Sequence, residues 1–160
     1  MKKLILLFIT TSFVLSQNLI WSVDEKYQIS FLLKSIGEIY YQLGDYNKSI
    51  EFIEKSLNIY NEIKGINHNP LGILIELYKS YKEVGRTFNN QDIIELTLKK
   101  EFIPFNLNYS LYQLLEDTSY LETAYNQVQE LANNLEPDVK AKFLSYPIPA
   151  AIVEEWEKVK

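Results

Sequence analysis

The stretch from Ser35 to Tyr60 constrains the fold most, because it combines two apolar stripes with a glycine–aspartate break between them. The first stripe recurs at steps of three and four residues, as one face of an α-helix does: Leu33, Ile36, Ile39, Tyr40 and Leu43. Gly44 and Asp45 then separate the helices, since glycine caps a helix end and aspartate caps a helix start. The second stripe comprises Ile50, Ile53, Leu57 and Tyr60. Two short helices alone cannot bury both stripes, so the pattern predicts further helices packed against them.

The same stretch resembles a tetratricopeptide repeat (TPR), a helix–turn–helix unit of about 34 residues that stacks into a solenoid. The family signature is large apolar, Leu-Gly, Tyr, Gly-Asp-Tyr, small, aromatic, small, and it corresponds here to Leu33, Ile36-Gly37, Tyr40, Gly44-Asp45-Tyr46, Ser49, Ile53 and Ser56. Asn61 stands where a proline is usual. At Gly37 and Ser49 only a small side chain lets the paired helices approach closely.

Two degenerate copies of the unit follow. Placing Tyr81 and Gly85 on Tyr40 and Gly44 gives a second repeat, with a helix expected from Leu71 to Val84 and its partner helix ending at Pro104. The third copy has Ser119 where the turn glycine would be, Thr118 or Ser119 as the helix cap, and a predicted core of Leu111, Leu115, Ala124, Val128 and Leu131.

Residues 23–134 are therefore predicted to form about three repeats, and residues 135–160 to form C-terminal capping helices divided at Tyr146-Pro-Ile-Pro149. Ile152, Val153 and Trp156 are expected to face the last repeat. The predicted fold is all-α: a short TPR-like α-solenoid of antiparallel helix pairs.

The N-terminus is typical of a secretory signal peptide, with basic Lys2 and Lys3, the apolar run Leu4–Leu15 and then the small residue Ser16. We expect residues 1–16 to be this leader, with a second cleavage site as late as residue 22; the alternative is a first buried helix. The apolar run is shorter than the roughly 20 residues that cross a bilayer. The protein is therefore expected to be exported, periplasmic or secreted, without a stable membrane span after cleavage, and membrane-associated if the leader stays uncleaved.

The composition argues against several function classes. A net charge of −5 does not suit nucleic-acid binding, which needs a basic surface. The chain has no cysteine, and His68 is its only histidine, so thiolate chemistry and the common zinc motifs are excluded. No glycine-rich phosphate loop is present. We therefore expect no enzyme activity, no cofactor and no metal.

The resemblance implies a binding surface on the concave face, which the first helix of each repeat lines in this family. Carried over position by position, it comprises Phe31, Lys34, Glu38, Tyr41, Gln42, Ile75, Lys79 and Lys82. The implied function is a scaffold or adaptor of the bacterial cell envelope that binds a peptide or protein segment there. The alternative is a self-associating structural helical protein without a groove, in which Trp156 and a bulky aromatic surface drive dimerisation.

Overall fold

The computed structural model describes residues 22–63 and 70–160. The predicted leader and His68 lie outside these residues. Regular structure within them is entirely α-helical, which confirms the all-α prediction. The eight helices are α1 (Val23–Gln42), α2 (Tyr46–Glu62), α3 (Leu71–Glu83), α4 (Asn90–Thr97), α5 (Phe105–Leu115), α6 (Thr118–Asn133), α7 (Pro137–Leu144) and α8 (Pro147–Val159). None of these helices combines the length and the apolar character that a membrane crossing requires.

Local capping explains where the first helices begin and end. Ser22 and Glu25 form a reciprocal capping box, in which the Ser22 amide donates to the Glu25 carboxylate at 2.7 Å and the Glu25 amide donates to Ser22 Oγ at 3.2 Å. Gly44 adopts a left-handed φ of 77°, and Asp45 caps α2 by accepting a bond from the Lys48 amide at 3.2 Å. The predicted Gly44–Asp45 turn is thus confirmed.

The cap after the third turn differs from the prediction. Glu116 takes the left-handed conformation in this turn, with φ 59°. Asp117, and not Thr118 or Ser119, caps α6, because its carboxylate accepts the Ser119 amide at 2.9 Å. That hydrogen bond lowers the pKa of Asp117 below its ordinary value. The predicted cap was therefore wrong by one or two residues, since the Asp117 carboxylate is the group that accepts a free amide at the start of α6.

The helix predicted to end at Pro104 is also corrected, since α4 stops at Thr97. Ile93 and Thr97 are its buried residues. Lys100 and Glu101 occupy the next positions that would face the core, so a longer helix would have no apolar face to bury. Leu98 and Phe102, in the following loop, are 80% and 68% exposed.

The helices pack in sequence order along the molecule. α1 packs on α2, and α3 lies against both of them; α5 packs on α3, α6 packs on α5, and α8 lies against α6 and α5. The cluster formed by α2 and α3 contains Ile50, Ile53, Ile73 and Leu77. A second cluster contains Leu71, Ile75, Ile93, Leu111 and Leu114, and a third contains Leu121, Ala124, Val128 and Ile152.

Most of the predicted core of the C-terminal half is buried. Leu111, Ala124, Val128 and Ile152 have no exposed surface, which confirms these predictions, whereas Leu131 is 47% exposed and was wrongly placed in the core. Trp156 packs against the third cluster and stacks on Tyr125 with ring centroids 5.4 Å apart. The last helix is therefore held by α6, as the pattern predicted.

Small residues allow the N-terminal helices to approach closely. A β-carbon on Gly37 would overlap the Ile53 side chain and lie 3.1 Å from the Ser49 carbonyl oxygen. Ser30 and Ser56 are buried and hydrogen-bonded to each other between α1 and α2. The predicted close approach at Gly37 and Ser49 is thus confirmed, since both residues are buried.

The apolar stripe predicted for α1 is, by contrast, only partly covered. Ile36, Ile39 and Leu43 are 37%, 57% and 72% exposed. The buried residues of α1 are Ser30 and Gly37, which face α2. The prediction that this stripe is buried was therefore wrong, because α2 and α3 cover the adjacent face of the helix.

Candidate functional site

The face along α1, α3 and α5 carries most of the predicted binding residues. The Tyr41 hydroxyl on α1 donates to the Glu83 carboxylate on α3 at 3.1 Å. The Lys79 ammonium lies 4.9 Å from the centre of the Tyr41 ring, within cation–π range. Burial, followed by the Glu83 charge, raises the pKa of the Tyr41 hydroxyl. Tyr41 and Lys79 thus meet on one surface.

A buried ion pair lies at the centre of this face. Lys79 donates to the Glu76 carboxylate at 3.1 Å, and the two side chains are only 12% and 11% exposed. Ser110 on α5 donates to the other Glu76 oxygen at 3.2 Å. These two donors compensate the cost of burying the carboxylate, so Glu76 ties α3 to α5. Glu76 was not predicted from the sequence, although a lone carboxylate inside the apolar run Leu71–Tyr78 is a signal for a buried polar contact.

The other predicted cations are also paired with carboxylates of this chain. Lys34 lies 2.7 Å from Glu38 on α1, and Lys82 lies 2.5 Å from Glu116 at the end of α5. Lys82 also reaches the Gln113 carbonyl oxygen at 3.3 Å. Gln42 is exposed near the end of α1. An acidic group of a partner would therefore exchange with an existing ion pair when it bound to these lysines.

Ile75 does not belong to this surface. Its side chain is fully buried in the cluster with Leu71, Ile93 and Leu111. It was assigned by carrying the pattern of the first repeat onto the second, and the position instead faces α4 and α5. The assignment of Ile75 to the binding face was therefore wrong.

A cavity of about 180 Å³ lies between α1, the end of α2 and the start of α3. It is lined by Tyr27, Ser30, Phe31, Lys34, Tyr60, Pro70, Gly72 and Ile73. Tyr27 and Phe31 are 52% and 58% exposed, and Tyr27 also lies beside Tyr60 with ring centroids 6.4 Å apart. The Lys34 ammonium lies 5.6 Å from the centre of the Phe31 ring, so one cation borders an aromatic cavity.

The cavity brings Phe31 and Lys34 together and leaves Tyr41, Lys79 and Lys82 outside its lining. Tyr27 and Tyr60 also line the cavity and were not predicted from the sequence. Tyr27 precedes Phe31 by one helical turn, so a second aromatic residue at that spacing was the available signal.

The buried hydroxyl group in the lining of the cavity, that of Ser30, is bonded to Ser56. Among residues 22–63 and 70–160, no group of three histidine, cysteine or acidic side chains is arranged to hold a metal ion. The volume is below the roughly 300–1,000 Å³ of typical small-molecule pockets. The cavity has room for about one bulky side chain.

Comparison of the chain with protein-family models, curated proteins and solved structures finds no match.

Proposed function

We propose that the protein is a non-catalytic, TPR-like interaction module of the bacterial cell envelope that binds an extended segment of a partner protein. The observation that carries this proposal is the aromatic cavity between α1, α2 and α3, in which half-exposed Tyr27 and Phe31 stand beside Lys34. Aromatic side chains are enriched at protein interfaces, and tyrosine is among the residues that contribute most of the binding energy there.

The packing of the helices supports a solenoid reading of the fold. Successive first helices α1, α3 and α5 lie side by side, and their partner helices α2, α4 and α6 each contact the first helix of the same pair. Gly37 and Ser49 permit the tight approach of α1 and α2 that the TPR signature requires. A rigid face of this kind orders few side chains on binding, which favours affinity for an extended segment.

The bound segment would insert one apolar side chain into the cavity and continue along α1 and α3. Tyr41 and the paired lysines Lys34 and Lys82 follow the cavity along that path. Acidic groups of the segment would then replace Glu38 or Glu116 as partners of the lysines. The shape of the cavity would therefore select the apolar side chain of the segment, and the exchangeable ion pairs would accommodate the acidic groups along the rest of it.

Affinity purification from envelope extract tests this proposal. The bait proteins are the wild type, a Tyr27→Ala, Phe31→Ala variant, and a Phe102→Ala control at a side chain that is also exposed but lies in the α4–α5 loop. We expect a partner that the wild type and the control retain and that the double variant loses by about tenfold or more. The partner is then mapped with overlapping peptides, and the same ranking of the three baits is expected for the binding peptide.

Identical retention by all three baits would overturn the cavity as the binding site. Far-ultraviolet circular dichroism of each bait checks that the helices persist, which is expected because both substituted side chains are about half exposed. The proposed export is tested separately, by cell fractionation and by the intact mass of the accumulated protein, for which we expect loss of residues 1–16 or a cut as late as residue 22.

A further inference from the structure

Three aromatic rings, those of Tyr27, Phe31 and Tyr60, border the cavity between α1, α2 and α3. Among its described lining residues, Pro70 and Ile73 supply the aliphatic surface. A hydrocarbon side chain gains from any apolar contact, whether the lining is aliphatic or aromatic. Aromatic rings add a negative electrostatic potential over their faces, which attracts a cation. The lining therefore suits a ligand group that is both positively charged and apolar.

The aromatic rings have free surface for such a group. Tyr27 and Phe31 are 52% and 58% exposed. The rings of Tyr27 and Tyr60 are inclined at 46° with their centroids 6.4 Å apart, so neither ring covers the whole face of the other. The Lys34 ammonium lies 5.6 Å from the centre of the Phe31 ring, so this ring already contacts a cation. The cavity thus has the form of an aromatic cage that opens to solvent.

Fixed charges around the start of α1 favour a positive ligand group. The charged residues of α1 and of the described end of α2 are Asp24, Glu25, Lys26, Lys34, Glu38 and Glu62. Lys26 pairs with Glu62 at 2.8 Å, and Lys34 pairs with Glu38 at 2.7 Å. The two carboxylates left over, Asp24 and Glu25, precede Tyr27 by three and two residues. Their negative charge adds to the attraction that the rings exert on a cation.

Lys34 provides the opposite charge at the other end of the lining on α1. Among the described residues that line the cavity, it alone is charged. Its side chain is 19% exposed, so a ligand in the cavity can reach the ammonium group. A phosphate group binds a lysine as a point charge and offers several acceptor oxygens to it. The cavity therefore presents a site for a cation and a site for an anion side by side.

We propose that the cavity binds a phosphocholine group, with the trimethylammonium end against the three aromatic rings and the phosphate on Lys34. Aromatic cages recognise quaternary ammonium groups, because the ring faces attract the charge and also contact the methyl groups. The volume of about 180 Å³ suits a compact group of this kind and is below that of pockets for drug-sized molecules. On binding, the phosphate takes the place of Glu38 as the partner of the lysine.

Phosphocholine binding does not rest on the proposed function, but it uses the same cavity. The head group and the apolar side chain of a partner segment would both contact Tyr27 and Phe31. The two ligands would therefore compete, and phosphocholine would release a bound partner. In that case the interaction module responds to a small ligand through simple displacement.

Isothermal titration calorimetry tests the site on the purified full chain, in the N-terminal form in which it accumulates. The probes are phosphocholine, choline and inorganic phosphate, each titrated alone. We expect one phosphocholine to bind per chain with a dissociation constant on the order of 1 mM, and choline and phosphate to bind more weakly. No saturable binding of phosphocholine well above that concentration would overturn the proposal.

A Tyr27→Leu, Phe31→Leu variant separates the aromatic cage from a merely apolar cavity. It keeps the lining apolar but removes two ring faces, and should weaken phosphocholine binding by about tenfold. The matched control, Phe102→Leu, exchanges an exposed ring in the α4–α5 loop and should bind like the wild type. Far-ultraviolet circular dichroism checks that the helices persist. Equal affinity of the leucine variant and the wild type would overturn the aromatic cage.

Lys34→Gln tests the phosphate contact. We expect phosphocholine to bind about threefold more weakly to this variant. Choline should bind as before or more tightly, because Glu38 then lacks its lysine. Equal effects on the two probes would overturn the assignment of the phosphate to Lys34.

Vesicle flotation distinguishes the two sources of the group, a lipid head group and a free phosphocholine compound. Flotation of the wild type with phosphatidylcholine vesicles, but not with phosphatidylglycerol vesicles, would identify the lipid. Calorimetric binding without flotation would identify a free ligand. Flotation that is equal with both vesicles, or that the leucine variant keeps, would overturn the lipid source. Partner retention by the baits of the affinity purification is measured separately, so failure of either proposal is recognised without the other.

Discussion

Gly37 on α1 lies so close to Ile53 on α2 that a β-carbon at position 37 would overlap the Ile53 side chain. The same β-carbon would lie 3.1 Å from the Ser49 backbone oxygen, which cannot move without distorting α2. The contact between α1 and α2 is therefore set by the absence of a side chain at one position. Ile53 itself is fully buried, so it has little freedom to rotate away.

We expect Gly37→Ala to destabilise the protein by about 1–3 kcal/mol, because overpacking outweighs the helix propensity that alanine gains. The measurement is the free energy of unfolding in urea, followed by circular dichroism. Gly72→Ala is the matched control. It is also a helical glycine, but its nearest neighbour would be Leu107 Cδ1 at 3.9 Å, an ordinary contact. That control should be neutral or stabilising by about 0.5–1 kcal/mol, and equal effects of the two substitutions would contradict the packing described here.

Glu116 holds the left-handed conformation at the end of α5 without being glycine. A left-handed L-residue costs roughly 1–2 kcal/mol, and its ion pair with Lys82 is exposed and contributes little. We therefore expect Glu116→Gly to raise the free energy of unfolding by up to about 1 kcal/mol. Glu122→Gly, at an exposed position inside α6, should instead lower it by about 1 kcal/mol. A loss of stability at both positions would show that the ion pair outweighs the backbone strain.

Breaking the buried ion pair between Glu76 and Lys79 should lower the free energy of unfolding. Lys79→Met removes the ammonium group but keeps an unbranched apolar side chain, and it leaves a carboxylate that is mostly buried with only Ser110 as a donor. We expect a loss of about 3–5 kcal/mol in the free energy of unfolding. Lys55→Met, at an exposed ion pair with Glu51, should change it by less than about 1 kcal/mol. Because Lys79 has this structural role, its substitution is a poor probe of partner binding. A small effect of Lys79→Met on the free energy of unfolding would mean that the ion pair is more hydrated than its exposure indicates.

Alkaline pH should destabilise the protein through Tyr78 and Tyr81. Burial, and hydrogen bonds to Asp92 and Glu54, raise the pKa of each hydroxyl from 10.0 to about 12. The folded state therefore favours the neutral phenol. The contribution of these neutral phenols to the free energy of unfolding is complete below pH 10.0 and declines as the same tyrosines ionise in the unfolded chain. It is lost as the pH passes about 12.

Urea unfolding at rising alkaline pH measures this effect, and Tyr81→Phe should show a shallower decline than the wild type. Arg86 still binds Glu54 at 3.2 Å in that variant, so the carboxylate keeps a partner. Lysines deprotonate in the same range, but they are common to both proteins. Identical slopes for the two proteins would rule out Tyr81 as a source of the pH dependence.

Signals carried by neighbouring residues predicted much of the fold. The glycine–aspartate turn after α1 and the proline that begins α8 each act within one helical turn. Such signals need no knowledge of the remaining chain. They fixed the number and order of the helices around residues 22–62 and 137–160, and the predicted core residues Ile53 and Ile152 are fully buried.

These local signals do not predict contacts between helices that are far apart in the sequence. Periodicity shows that Leu32, Ile36 and Ile39 share a face, but it does not say whether a neighbour covers that face. The hydrogen bonds Ser49–Ser80, at 2.8 Å, and Glu76–Ser110 each join two residues that are more than 30 positions apart in the sequence. No local pattern relates these residues to each other. Ile75 was misplaced for the same reason, since the rotation of α3 depends on α4 and α5. For the candidate site, the sequence identified Phe31 and Lys34 but not the tyrosines that complete the cavity.

The pairing of Lys34 and Lys82 with carboxylates of their own chain also has a kinetic consequence. A docking segment would swap one ion pair for another there, so its approach gains almost no long-range attraction. Its association rate constant should then be close to that of uncharged partners, about 10⁵–10⁶ M⁻¹ s⁻¹, and should vary little with ionic strength. Partners would be distinguished by how long they stay, through the fit of one side chain between Tyr27 and Phe31, and not by how fast they arrive.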